Sequence, residues 1–207
     1  MKLRKGEWLL VFFNLFYILL FSLYYFRIQN YEFLWYVVVL VFFFLLIGLT
    51  LRKTNFDYLI LWGLSLWGFL HMAGGGVWIG DGFWIFNANG VLYTLDIMHL
   101  FDIGDTFVLK FDQFVHAFGF ASTTLVAWHL LKPYLNNKTS YKIIYLLLFA
   151  IAMGAGALNE IVEFIAVVVA PSTGVGGYYN TALDLVFNGI GSIIALFIVH
   201  FYYRKKN

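Results

Sequence analysis

Long apolar runs, rather than alternation, set the pattern of this chain. They fall at about 8–27, 33–50, 56–72, 109–131, 142–170 and 181–202, each near the ~17–25 residues a helix needs to cross hydrocarbon. Backbone groups in lipid must pair within their own segment, so the runs predict six transmembrane helices. The short period-two segments that a membrane barrel requires do not occur. Polar breaks separate the runs: R-I-Q-N-Y-E, T-L-R-K-T-N-F-D, L-K-P-Y-L-N-N-K-T-S-Y-K and A-P-S-T-G-V-G-G-Y-Y-N-T. Pro133 and Pro171 act as stops, and Asn180 or Thr181 is the expected cap of the last helix.

The connection from Ala73 to Val108 is far longer than an ordinary loop. It carries Asp81, Asp96, Asp102, Asp105 and His99 among many Trp, Phe and Ile residues. That apolar content predicts an outer loop lying at the interface or partly re-entrant, with L-Y-T-L-D-I-M-H-L-F as a short interfacial helix. Its role is either a lid or a packed hairpin that closes the bundle. The expected fold class is therefore an all-α polytopic membrane protein, one bundle over 1–207, with its site-bearing core at about 56–202.

Composition agrees. The chain is 62% hydrophobic and 12% charged, where soluble domains carry roughly 25% charge. No Cys is present, which removes disulfides and thiolate chemistry. A net charge of +2 gives no basis for a nucleic-acid partner. Its distribution says more. With the N-terminus cytoplasmic, eleven Lys and Arg residues lie inside and only Arg27 and Lys110 outside, a strong positive-inside bias that also places the C-terminus in the cytoplasm. K-L-R-K-G-E-W precedes the first run without a small-residue cleavage pattern, so that run is read as a retained helix. N-K-T at 137–139 falls on the inner side and is not expected to be glycosylated.

Ionisable residues within spans face cavities or partners, because lipid cannot solvate them. Asp112 and His116 in F-D-Q-F-V-H are four apart and share a helix face, with Thr123 continuing the stripe. Glu160 and Glu163 share a face in N-E-I-V-E-F, and Asn159 meets Glu163. Asp184, Asn188 and Ser192 line another helix, and His71 ends the third span. All lie toward the outer ends of their helices, which predicts a shared pocket. Two His with several carboxylates suit Zn²⁺, Mn²⁺ or Fe²⁺, with zinc as the first candidate divalent metal. His71, Asp112, His116, Glu160 and Asp184 are the candidate ligands. Glu163 and Asp184 are candidate catalytic bases, and Asn159 and Asn188 would orient the ligands. The residues alone also allow a protonatable network without metal, or polar glue between helices. His129 and His200 read as interfacial, and Met98 and Met153 as packing residues. G-A-G-A at 154–157 with Gly189 and Gly191 is expected to bring the fifth and sixth helices together.

Three functions fit. One is a metal-dependent hydrolase or transferase acting on a membrane lipid or lipid-linked substrate at the outer leaflet. The second is an ion or small-solute transporter or channel; absent repeats and apolar inner halves count against it, although a homo-oligomeric pore is allowed. The third is a lipid-sensing or scaffold protein.

H-M-A-G-G, F-D-Q-F-V-H, N-E-I-V-E-F and N-T-A-L-D-L-V-F-N-G-I-G, taken in order over about residues 66–200, resemble the YjdF-like integral membrane proteins of bacteria and archaea. The last three blocks are also similar to the VanZ-like proteins, a group associated with glycopeptide resistance. The resemblance implies a multi-pass protein of a prokaryotic cell membrane. It highlights His71, Asp112, His116, Glu160, Glu163, Asp184 and Asn188. The chain departs from the VanZ-like pattern in having Glu163 where Gln is common, and in its long acidic insert before the fourth span.

Overall fold

The computed structural model describes residues 3–80, 90–136, 138–171 and 173–203. Asp81 of the acidic connection, Asn137 of the N-K-T triplet, Lys2 and the Arg204, Lys205 and Lys206 tail lie outside these residues. Six helices form the body: α1 Lys5–Ile28, α2 Tyr31–Thr54, α3 Tyr58–Gly76, α4 Phe111–Leu131, α5 Tyr141–Val169 and α6 Tyr178–Ile198. All six are long and apolar enough to cross a membrane. Large apolar side chains point outward along them, with Leu49 82% and Phe26 75% exposed, as expected of helices solvated by lipid.

Local chemistry sets the ends. The Asn30 side chain caps α2 by accepting the Phe33 N–H at 3.0 Å, and Asp57 caps α3 by accepting the Ile60 N–H at 3.0 Å. Asn55 ends α2 in a left-handed turn, φ 48°. Gly177, rather than Asn180 or Thr181, takes the cap position of α6. Asn180 is thus drawn inside the helix, where its amide serves the site described below.

Helix α3 runs past the expected stop near residue 72 and continues through Gly76. The three glycines there do not break the helix, because each receives an aromatic ring. A Cβ at Gly74 would collide with Tyr93, at Gly75 with Phe33 and at Gly76 with Tyr25.

The α3–α4 connection holds two short antiparallel pairs. Strand β1 (Trp78–Gly80) pairs with β2 (Gly90–Val91), and β3 (Asp102–Ile103) with β4 (Thr106–Phe107). The expected helix over L-Y-T-L-D-I-M-H-L-F is not formed. Only Leu92–Thr94 makes a 3₁₀ turn. Beyond it the backbone bonds sideways: Asp96 bridges to Lys110, and the Leu100 N–H donates to the Val108 carbonyl at 3.3 Å. Those groups are spent on the returning strand and cannot close helical turns. The turn at Gly104 rests on Tyr179 of α6.

Helix α4 is central, packing on α3, α5 and α6, while α1 packs on α2 and α3. Small residues fix the closest approaches. A Cβ at Gly191 of α6 would run into the Ala117 backbone of α4, and one at Gly156 of α5 would press on Asn188 of α6. Gly191 therefore admits α4 rather than α5, correcting the expectation that both α6 glycines serve α5. Gly189 faces Met153 and Phe149 of α5 as expected, and Gly154 meets nothing.

Candidate metal centre

The contact between α4 and α6 at Ala117 and Gly191 sets the neighbours on either side. One turn away, His116 of α4 meets Asn188 of α6, with His116 Nδ1 3.0 Å from Asn188 Oδ1. With the amide oxygen on this side Nδ1 is the donor, and in the neutral ring Nε2 then presents its lone pair to the other side.

On that side stand carboxylates from three helices. His116 Nε2 lies 3.7 Å from Asp112 Oδ1, 3.9 Å from Asp184 Oδ1 and 4.0 Å from Glu163 Oε1. Hydrogen bonds of this type span about 2.7–3.2 Å, so none of these pairs is one. The spacing instead resembles donors around a shared ion. Metal–ligand bonds of ~2.0–2.2 Å in a tetrahedron put donors roughly 3.3–3.6 Å apart, so a small contraction would seat one. Asp112, His116 and Asp184 each offer a ligand atom within 4.8 Å of the others, and so do His116, Glu160 and Glu163. Asp184 is 1% exposed, yet its Oδ1 has no hydrogen-bond donor, and neither has the buried Glu160 Oε1. Unpaired carboxylate oxygens are costly in a membrane span, and a cation satisfies them.

The flanking groups hold the acids in place. Asn180 donates to Asp184 Oδ2 at 2.7 Å and reaches Asp112 Oδ2 at 3.5 Å. Lys110, 3.5 Å from Asp112 Oδ2, also donates to Asn180 Oδ1. Asn159 donates to Glu163 Oε1 at 2.8 Å. Asn180 and Lys110 do not stand out in the sequence. Lys110 precedes its helix and Asn180 resembles a cap; only their separation of four residues or fewer from Asp112 and Asp184 flags them.

Asp112, His116, Glu160, Glu163, Asp184, Asn159 and Asn188 thus come together at one end of the bundle. His71, expected among the ligands, borders the cluster but is engaged by a different partner. Its Nδ1 is hydrogen-bonded to the Tyr93 hydroxyl, and its ring lies among Phe33, Tyr36 and Trp67, with centroids 5.9, 5.3 and 6.0 Å away. It belongs to neither group of ligand atoms found among the described residues. Tyr93, outside the spans, has its phenol pushed well above the usual range, first by burial and then by the charges of Asp112 and Glu163. It stays a neutral hydroxyl beside the cluster.

Between α4, α5 and α6 the polar line of the cluster ends part-way along the described helices. Below His116 and Asn188, Thr124 donates to Ser192 at 3.1 Å. Beyond them α4, α5 and α6 pack through apolar side chains, among them Leu125, Ile144, Leu148, Ala195 and Val199, while on the α1–α3 side Asn14 donates to the buried Ser65 at 2.9 Å.

Six apolar helices around a buried His/carboxylate cluster able to coordinate a metal define a multi-pass membrane protein with a candidate metal centre. The chain belongs to the family described as "Predicted membrane protein (DUF2238)", whose model matches residues 8–205 and so spans all six helices. No curated protein and no solved structure matches the chain.

Proposed function

We propose that this cluster holds one divalent cation, with zinc the first candidate, and that the protein is a metal-dependent hydrolase or transferase acting on a lipid or lipid-linked substrate at the outer leaflet. One observation carries the reading. Asn188 turns His116 Nε2 toward three carboxylate oxygens at 3.7–4.0 Å, a concentration of acceptors that Lys110, 3.5 Å from Asp112, balances only in part and that a cation between them would satisfy. Asp112, His116 and Asp184 would be the ligands. A bound divalent ion supplies Lewis acidity and lowers the pKa of a water. Glu163, steadied by Asn159, and Glu160, whose Oε1 has no hydrogen-bond partner, would take a proton. The protein's other contribution is to exclude bulk water, since the cluster is roofed by the α3–α4 connection through Tyr93 and Lys110.

Three of the four blocks that resemble YjdF-like and VanZ-like proteins are those that supply this cluster, which supports reading them as one site. The truncated polar line favours the enzyme over a conducting path. The test is metal content of the full chain purified without chelator. About one equivalent of zinc, manganese or iron is expected, and His116→Ala should fall below about a tenth of that while remaining monodisperse. A wild-type protein that stays metal-free after incubation with each ion would end the proposal and leave a structural polar network.

A further inference from the structure

At the other end of the bundle a cavity of about 620 Å³ opens where α3 begins and where α4 and α6 end. Trp128 follows His116 by twelve residues on α4, about 18 Å along the helix, so this cavity is remote from the metal cluster. Aromatic side chains line it: Tyr58, Trp128, Tyr202 and Tyr203. Two charged residues of opposite sign join them, Asp57 and Lys132.

The fold holds these groups in place. Asp57 caps α3 through Oδ1, and its Oδ2 accepts the Tyr203 hydroxyl at 2.6 Å. Tyr203 reaches it because α6 ends in a widened π turn, Val199–Tyr203, a local departure that often marks functional positions. Arg4, another cation at this end, is engaged: it contacts Glu7 at 2.5 Å, donates to the Phe56 carbonyl at 2.9 Å and covers the Tyr58 ring at 4.8 Å. No ion pair among the described residues occupies Lys132.

A carboxylate beside several aromatic rings recognises an ammonium group, through charge and through the ring faces. An ammonium of Lys at the opening suits a phosphate. The lining therefore matches one ligand with both charges. All three helix ends lie at the level where spans meet a polar boundary, the depth of lipid headgroups. A purely anionic headgroup would put its charge against Asp57.

We propose that this cavity binds a phosphodiester bearing an ammonium group, such as the headgroup of a zwitterionic ethanolamine phospholipid. The site is independent of the metal reading. The test is native mass spectrometry of the full chain in detergent, with phosphatidylethanolamine and phosphatidylglycerol of identical acyl chains. Wild type should retain the ethanolamine lipid about tenfold better. Asp57→Asn keeps the cap acceptor but loses the charge, and should bring the two lipids close to parity. Lys132→Gln, at an exposed position, should weaken both lipids several-fold. Free glycerophosphoethanolamine separates two sources of the same chemistry. Displacement of lipid by it identifies a soluble ligand, and failure to displace identifies the bilayer. Equal retention of both lipids by wild type, or an unchanged preference in folded Asp57→Asn, overturns the proposal. Metal content should be unaffected by either substitution, so the two tests fail separately.

Discussion

At the scale of single residues, His116 is the centre of the site and Asn188 decides what it can do. Had Asn188 been apolar, the imidazole could rotate or carry its hydrogen on Nε2 and donate to Asp112 or Asp184, closing the cluster without an ion. With its Oδ1 3.0 Å from Nδ1, the carbonyl favours the neutral tautomer that leaves a lone pair for coordination. Asn188→Ala should therefore weaken metal binding by roughly 10–100-fold while His116 itself remains. Competition with a calibrated chelator measures this. Unchanged affinity in a folded variant would show that the Asn188 contact is packing alone. Lys110 makes the opposite contribution, because its ammonium already balances part of the charge on Asp112. Asp112, His116, Glu160, Glu163 and Asp184 are legible in the sequence as a set, since acids and histidines are costly in apolar runs and need a shared polar partner. That His71 turns to Tyr93 is not legible. It depends on a connection whose backbone pairs sideways, a non-local outcome that periodicity does not encode.

At the scale of elements, small residues explain why the charged faces meet. Helices in lipid gain no hydrophobic force from one another, so close backbone approach has to supply the contact. Gly191 places α6 directly on the Ala117 carbonyl of α4, and His116, Asp184 and Asn188 all fall on the N-terminal side of that crossing. Gly191→Ala puts a methyl where backbone already stands. It should destabilise by about 1–3 kcal/mol or more and also loosen the metal cluster. Gly154→Ala is the matched control: nothing lies near its Cβ direction, so it should be neutral or stabilise by up to ~1 kcal/mol through helix propensity. Thermal unfolding of both variants in the same detergent compares them. An equal effect would mean that glycine content, rather than the crossing, is what matters. At this scale the sequence is only partly legible. Runs of apolar residues give the six helices, because length and hydropathy are local properties. Glycine as breaker and glycine as seat for a ring look identical in a string, so the pattern alone ends α3 short of Gly76. Which neighbour Gly191 admits is likewise decided by the packing of three helices together.

At the scale of the whole molecule, the remaining question is which way the bundle faces. The metal cluster sits toward the end that carries the α3–α4 connection, and the proposed phosphodiester cavity sits at the other. On the two proposals, opposite leaflets would serve the two sites, whichever orientation is adopted. The basic residues argue for one of the two. Arg52, Lys53, Lys132, Lys138 and Lys142 all belong to the end with the cavity, and the connection at the other end is acidic with Asp96, Asp102 and Asp105. Retention of positive charge on the cytoplasmic side then favours a cavity inside and a metal cluster toward the outside. The absence of Cys makes the check direct, because a single introduced thiol is the only one in the chain. Cysteine at Lys138, on the turn between α4 and α5, should be shielded from an impermeant maleimide in intact cells and react after permeabilisation. Cysteine at Asp102, 80% exposed at its side chain on the connection, should react in intact cells. The reverse pattern would turn the molecule over. The proposed lipid-linked substrate of the metal centre would then have to come from the cytoplasmic leaflet, and the proposed ethanolamine phospholipid from the outer one.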